Sequence, residues 1–185
     1  MADKYNKLEP KVPKEVKYAL LGFVALLIAL FFIIKPTNQE KVYSAFAFVT
    51  TSNEFTEEHP FYEVSYKKLM KKIESEDYVF VMIGSPETTE TAAYIGAYQK
   101  YFENENVDDY VEYIYYYNPT DEEENLTSLS EDYELVEYLN NQLVLFIDGQ
   151  AVVAFEANGT TDEKLMNRAA RDFFEDAIAA IKEAE

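Results

Sequence analysis

The chain has 185 residues, about one domain's worth with room for a short extra segment, and its 48% hydrophobic content supports a packed core rather than general disorder. Its net charge of −19, from 35 acidic against 16 basic side chains, excludes a nucleic-acid binder that must neutralise phosphates and keeps the body of the protein off an anionic lipid surface. It has no cysteine, which removes disulfides, thiol catalysis, Cys-ligated zinc and a cysteine-linked lipid anchor together.

Residues 1–17 read as a basic cytoplasmic tail, with Lys4, Lys7, Lys11, Lys14 and Lys17 ahead of an uncharged run, YALLGFVALLIALFFII, from Tyr18 to Ile34. That run, 18–34, is at the short end of what spans a bilayer as a helix, and it has no polar face of the kind a buried core helix shows. Only Lys35 and Lys41 follow before the chain turns acidic. The positive-inside bias therefore predicts a single-pass signal-anchor, with the N-terminus cytoplasmic and the C-terminal domain extracytoplasmic at the cell membrane. The competing reading is a cleaved signal peptide, because Ala45-Phe46-Ala47 is an A-x-A pattern, but it lies further past the apolar run than a cleavage site usually does. Residues 35–60 read as a stalk or linker. Lys35-Pro36 ends the helix, Val42 to Val49 reads as a helix or a strand, and Thr50 to Pro60 reads as polar loop in which His59 is exposed.

From Phe61 the elements alternate. Phe61 to Val64 reads as a short strand, and Ser65 as the N-cap of a helix over Tyr66 to Glu74, with Leu69, Met70 and Ile73 at helical spacing. Val79 to Ile83 is a continuous apolar run, as expected of a strand covered on both faces. Thr91 to Asn104 carries Tyr94, Ile95, Tyr98, Tyr101 and Phe102 on one helical stripe. Val111 to Tyr117 reads as a strand placing Tyr113, Tyr115 and Tyr117 on one face and Ile114 and Tyr116 on the other, beneath flanking helices. Pro119 to Asn125 reads as an acidic solvated loop, and Ser128-Leu129-Ser130-Glu131 as a capping box for a short helix ending near Leu139. Leu143 to Ile147 and Ala151 to Phe155, joined through Asp148-Gly149-Gln150, form a hairpin signal. Thr160-Thr161-Asp162-Glu163 reads as the capping box of a long terminal helix.

An alternating parallel half followed by an antiparallel hairpin makes an α/β fold, a mixed central sheet with helices on both faces. That order, with the G-x-P turn Gly84-Ser85-Pro86 after the second strand, resembles the thioredoxin fold over residues 61–185. The best local match is YEVSYKKLMKKIESEDYVFVMIGSPETTETAAYIGAYQKYFEN. The chain is similar to the membrane-anchored, thioredoxin-like proteins of Gram-positive bacteria, including those labelled bacteriocin transport accessory proteins. In that family a G-x-P turn leads into C-x-x-C at the next helix. The resemblance places the two cysteine positions at Thr88 and Thr91, with Thr89 and Glu90 between them. It places Asn141 where the family's cis-proline stands.

The resemblance thus implies a degenerate active site at Pro86, Thr88, Thr91 and Asn141, with Ser85, Thr89, Glu90 and Gln142 as the binding surface beside it. A threonine hydroxyl cannot form a disulfide, so thiol-disulfide chemistry is excluded for this chain as written. A non-proline cis bond costs on the order of 3 kcal/mol, so the bond before Asn141 is expected to be trans. The plain reading of Thr88 and Thr91 is that of helix-start residues, with Thr88 or Thr89 capping the backbone donors, and Glu87 and Glu90 suit the positive end of the same helix. No cofactor, no metal and no nucleic acid are expected. The expected function is that of a redox-inactive thioredoxin-like module, anchored in the membrane through residues 18–34, that binds a protein partner on the outer face. The alternative is an engineered or degenerate form of an extracytoplasmic thiol-disulfide oxidoreductase.

Overall fold

The computed structural model describes residues 13–120, 122–135, 141–156, 159–160 and 162–185, with the side chains at 32–34, 123, 141 and 156 outside that description. The chain divides into two compact units, residues 1–36 and 37–185. In the first, α1 (Lys14–Ile34) carries exposed apolar side chains around its circumference, among them Leu20, Leu21, Phe23, Leu27 and Phe31. Among the described residues no helix is long and apolar enough to cross a membrane. Charged Lys14, Glu15 and Lys17 open α1, and part of the expected anchor, residues 32–34, lies outside the described side chains.

The second unit holds α2 (Asn38–Phe46), β1 (Phe61–Glu63), α3 (Tyr66–Ser75), β2 (Tyr78–Gly84), α4 (Thr89–Asn104), β3 (Ile114–Tyr117), α5 (Glu123–Tyr133), β4 (Asn141–Ile147), β5 (Gln150–Glu156) and α6 (Glu163–Ala184). The five strands lie in the order β1-β3-β2-β4-β5. β3 pairs parallel to both β1 and β2, while β4 pairs antiparallel to β2 and β5. This is the mixed sheet expected of a thioredoxin-like fold. Helices α2, α4 and α6 bury one face, on Phe80, Met82, Ile114, Tyr116 and Leu145. α3 and α5 bury the other, on Val79, Val81, Ile83, Tyr115 and Tyr117. The alternation of β3 is therefore as its sequence predicts, and β2 is apolar throughout because both its faces are covered.

Several local signals resolve differently. The capping box at Ser128 to Glu131 does not form, because α5 begins earlier, within the expected acidic loop, and Ser128 bonds back to Glu124 O at 3.1 Å inside the helix. Leu139 and its neighbours 136–140 lie outside the described residues, as do Asp121, Asn158 and Thr161. α6 is capped by Asp162, which accepts from Lys164 N and Leu165 N at 3.0 and 3.1 Å, rather than by Thr160. Ser65 occupies the N-cap position of α3 without a side-chain bond. The hairpin forms with a two-residue loop, Asp148 (φ 48°) and Gly149 (φ 77°), the doubly left-handed turn that matches strand twist.

The largest departure is at 35–60, expected as a stalk or linker with a helix or strand over Val42 to Val49. The compact unit begins at Thr37, which forms a capping box with Glu40 at the start of α2. Val42, Phe46 and Phe55 enter the same core as the sheet. The return segment 47–60 straps across α4. Thr56 N donates to Gln99 Oε1 at 3.1 Å, Gln99 Nε2 donates to Glu58 O at 2.7 Å, and Lys100 pairs with Glu54 at 2.9 Å. Ser52 lies so close to α4 that a Cβ on Gly96 would come within 2.0 Å of its Oγ.

Gly96→Ala therefore sets two effects against each other: a gain of about 1 kcal/mol in helix propensity and an overpacking cost of about 1–3 kcal/mol. A net loss of stability in denaturant melts is expected, relieved when Ser52→Gly is added. A Gly96→Ala chain more stable than the parent would show that the strap does not press on α4.

Candidate functional site

The turn after β2 is built on a supported strand end. Gly84, the last residue of β2, stands opposite Asn141 of β4, and its carbonyl accepts the buried Tyr116 hydroxyl from β3 at 3.0 Å. Burial pushes the Tyr116 phenol well above its ordinary range, with Glu63 adding to the effect, so it stays a donor. Ser85 then organises the turn. Its Oγ accepts from Glu87 N at 3.2 Å, and its carbonyl accepts the Thr88 amide at 3.1 Å and the Thr88 hydroxyl at 2.9 Å. From the β3–α5 connection, the Thr120 hydroxyl lies 3.0 Å from Ser85 Oγ.

The two threonines meet. Thr88 Oγ1 and Thr91 Oγ1 are 2.6 Å apart at the opening of α4. Thr91 is fully buried and Thr88 half-buried, so the outer hydroxyl faces the surface and the inner one the core. Thr88 holds the N-cap position, yet its side chain makes no bond to the first amides of α4 and is spent on Ser85 O instead. The expected capping role is therefore corrected to a turn-closing one. Thr89 is exposed, and Glu90 sits in the first turn of α4 where the helix dipole favours a carboxylate. Pro86 lies at the rim.

The rest of the expected set divides. The backbone of Asn141 reaches the turn through its pairing with Gly84, while its side chain and residue 140 lie outside the described residues. No cis peptide occurs among the described residues. Gln142, expected on the binding surface, is only 2% exposed and pairs with Ile83, so it presents no side chain to a partner. His59, expected to be exposed, is 5% exposed and packed among Tyr43, Phe55 and Phe61.

One feature of the site has no signal in the sequence pattern. The start of the strap comes to the turn, and Val49 and Thr51 join Pro86, Thr88, Thr89 and Ala92 around an open groove of about 480 Å³. Phe48 next to it is 93% exposed. Within the apolar segment Val42 to Val49, nothing in the residue types separates Phe46, which enters the core, from Phe48, which does not.

The sequence matches no protein-family model and no curated protein. Among solved structures it is similar to "A putative oxidoreductase with a thioredoxin fold", at 18% identity over 60% of this chain and 93% of that chain, with a TM-score of 0.45. A likeness that loose transfers no chemistry.

Two substitutions probe the site. Tyr116→Phe leaves the Gly84 carbonyl buried without its donor and is expected to lower stability by about 1–3 kcal/mol in denaturant melts. Thr88→Cys with Thr91→Cys is expected to close an intramolecular disulfide in air, read as a mass two hydrogens lower and no free thiol after denaturation. Thiols that persist or link two chains would show that the turn does not hold the two positions in bonding geometry.

Proposed function

We propose that this protein is a membrane-anchored, redox-inactive thioredoxin-like module that binds a protein partner on the outer face of the cytoplasmic membrane, through the surface around the β2–α4 turn. The observation that carries the reading is the hydroxyl pair of Thr88 and Thr91, 2.6 Å apart at the positions to which the resemblance assigns a dithiol, in a chain with no cysteine. With no thiolate to form, the turn keeps a shape and loses a reaction. What remains at the surface is Pro86, Thr89 and Glu90, with Phe48 and Val49 of the strap beside them, an apolar patch with a carboxylate rim of the kind protein interfaces use. The anchor is supported by the uncharged run Tyr18 to Ile34, by the lysines ahead of it, and by the exposed apolar side chains of α1.

The hydroxyl pair also favours a second reading, in which the chain is an engineered or degenerate form of an extracytoplasmic thiol-disulfide oxidoreductase. Encoding DNA from the native source with cysteine codons at 88 and 91 would establish that reading in place of the first.

A photo-crosslinking residue placed at Thr89 in living cells, with one at exposed Lys71 on α3 as control, tests the proposal. A single partner captured from position 89 and not from 71, in membranes that retain the protein at alkaline pH, is the expected result. Equal capture from both positions, or release of the protein at alkaline pH, would remove the binding surface or the anchor respectively.

A further inference from the structure

The chain's one histidine is buried in the joint that fastens residues 37–60 to the sheet. Its ring stacks on Phe55 of the strap at 5.1 Å and on Tyr43 of α2 at 6.4 Å, and lies 5.8 Å from Phe61 of β1. Gln39 Nε2 of α2 donates to His59 O at 3.0 Å. Most telling is Nδ1, which accepts the backbone amide of Phe61 at 3.2 Å. Phe61 is fully buried, so no water replaces that acceptor when it is lost. A neutral ring with Nδ1 as acceptor carries its proton on Nε2, which is buried and has no hydrogen-bond partner among the described residues. A second proton can go only to Nδ1, where it would face the Phe61 N–H donor to donor.

We propose that His59 is an acid-sensitive latch: its protonation unfastens α2 and the strap from the sheet while the five strands stay folded. Desolvation lowers the imidazole below its ordinary 6.5, against a smaller opposing pull from the backbone of Gln39 and of His59 itself. The charged and titratable groups around it are Tyr43 on α2, Glu57 and Glu58 in the strap, Glu103 on α4 and Glu112 ahead of β3. The four carboxylates attract a charged ring without restoring the lost acceptor. Two ion pairs hold the same segment, Lys41 to Glu63 at 3.0 Å and Lys100 to Glu54 at 2.9 Å.

The sign follows from proton linkage. The fastened state binds fewer protons than the unfastened one between its lowered pKa and 6.5, so the latch is closed above 6.5 and weakens as pH falls through that window. Below the lowered pKa it weakens no further. Because the strap lines the groove at the turn through Val49 and Thr51, opening the latch also dismantles one wall of that groove.

A single histidine gives a single imidazole signal, so NMR of the full-length chain reads the latch directly. The expected result is a midpoint below 6.5. Amide protection at Val42, Tyr43 and Phe46 should fall close to tenfold per pH unit between 6.5 and that midpoint, while Val81 and Met82 of β2 hold theirs. His59→Asn keeps an acceptor for the Phe61 amide and cannot titrate, so its α2 protection should show no slope there. A midpoint at or above 6.5, loss of α2 and β2 protection in parallel, or an equal slope in His59→Asn would overturn the proposal. The first two readouts need no variant.

Discussion

The burial of β2 on both faces and its pairing on both edges is the constraint on which the rest of this domain depends. Every residue from Val79 to Gly84 is buried, and each is matched to β4 on one side, with Phe80 to Ile83 also matched to β3 on the other. In such a strand a slip of one residue would exchange Phe80 and Met82 for Val79 and Val81 on every contact, so register is strongly held. Its C-terminal end is held as firmly. Tyr116 reaches from β3 to the Gly84 carbonyl, and Asn141 of β4 stands opposite, so Ser85 to Thr91 is presented from a rigid edge rather than from a free loop.

That rigidity explains how the turn keeps its form with no cysteine in it. Thr88 and Thr91 hold each other by a hydrogen bond, and the Thr88 hydroxyl also closes the turn onto Ser85. The burial of Thr91 within α4 and the carbonyl of Ser85 position both groups. The site therefore offers shape and surface polarity, with the apolar contribution supplied from outside the turn by Phe48 and Val49.

The strap that supplies them is held by a different kind of interaction. Phe46, Phe55 and His59 form a run of ring contacts that ends on Tyr116 and Phe61 of the sheet, and such contacts add to plain area burial. Gln99, buried at the middle of α4, satisfies a backbone amide and a carbonyl of the strap at once. A segment whose Val42, Phe46 and Phe55 enter the core and whose backbone is bonded by Gln99 is part of the domain.

The parts of this protein that its residue order alone makes legible are those set by neighbours along the chain. Asp148-Gly149 demands two left-handed residues and so a tight hairpin. The apolar run of β2 demands cover on both sides. The alternation of Ile114 to Tyr117 assigns each ring to a face, and the spacing of Leu69 and Ile73 gives α3 its buried stripe. The burial of His59 and Gln142 and the docking of 37–60 came instead from folding in three dimensions. A polar side chain is exposed or buried according to what packs on it. For His59 those partners, Tyr43, Phe55 and Phe61, are brought together by a chain reversal and a sheet edge that no local pattern encodes.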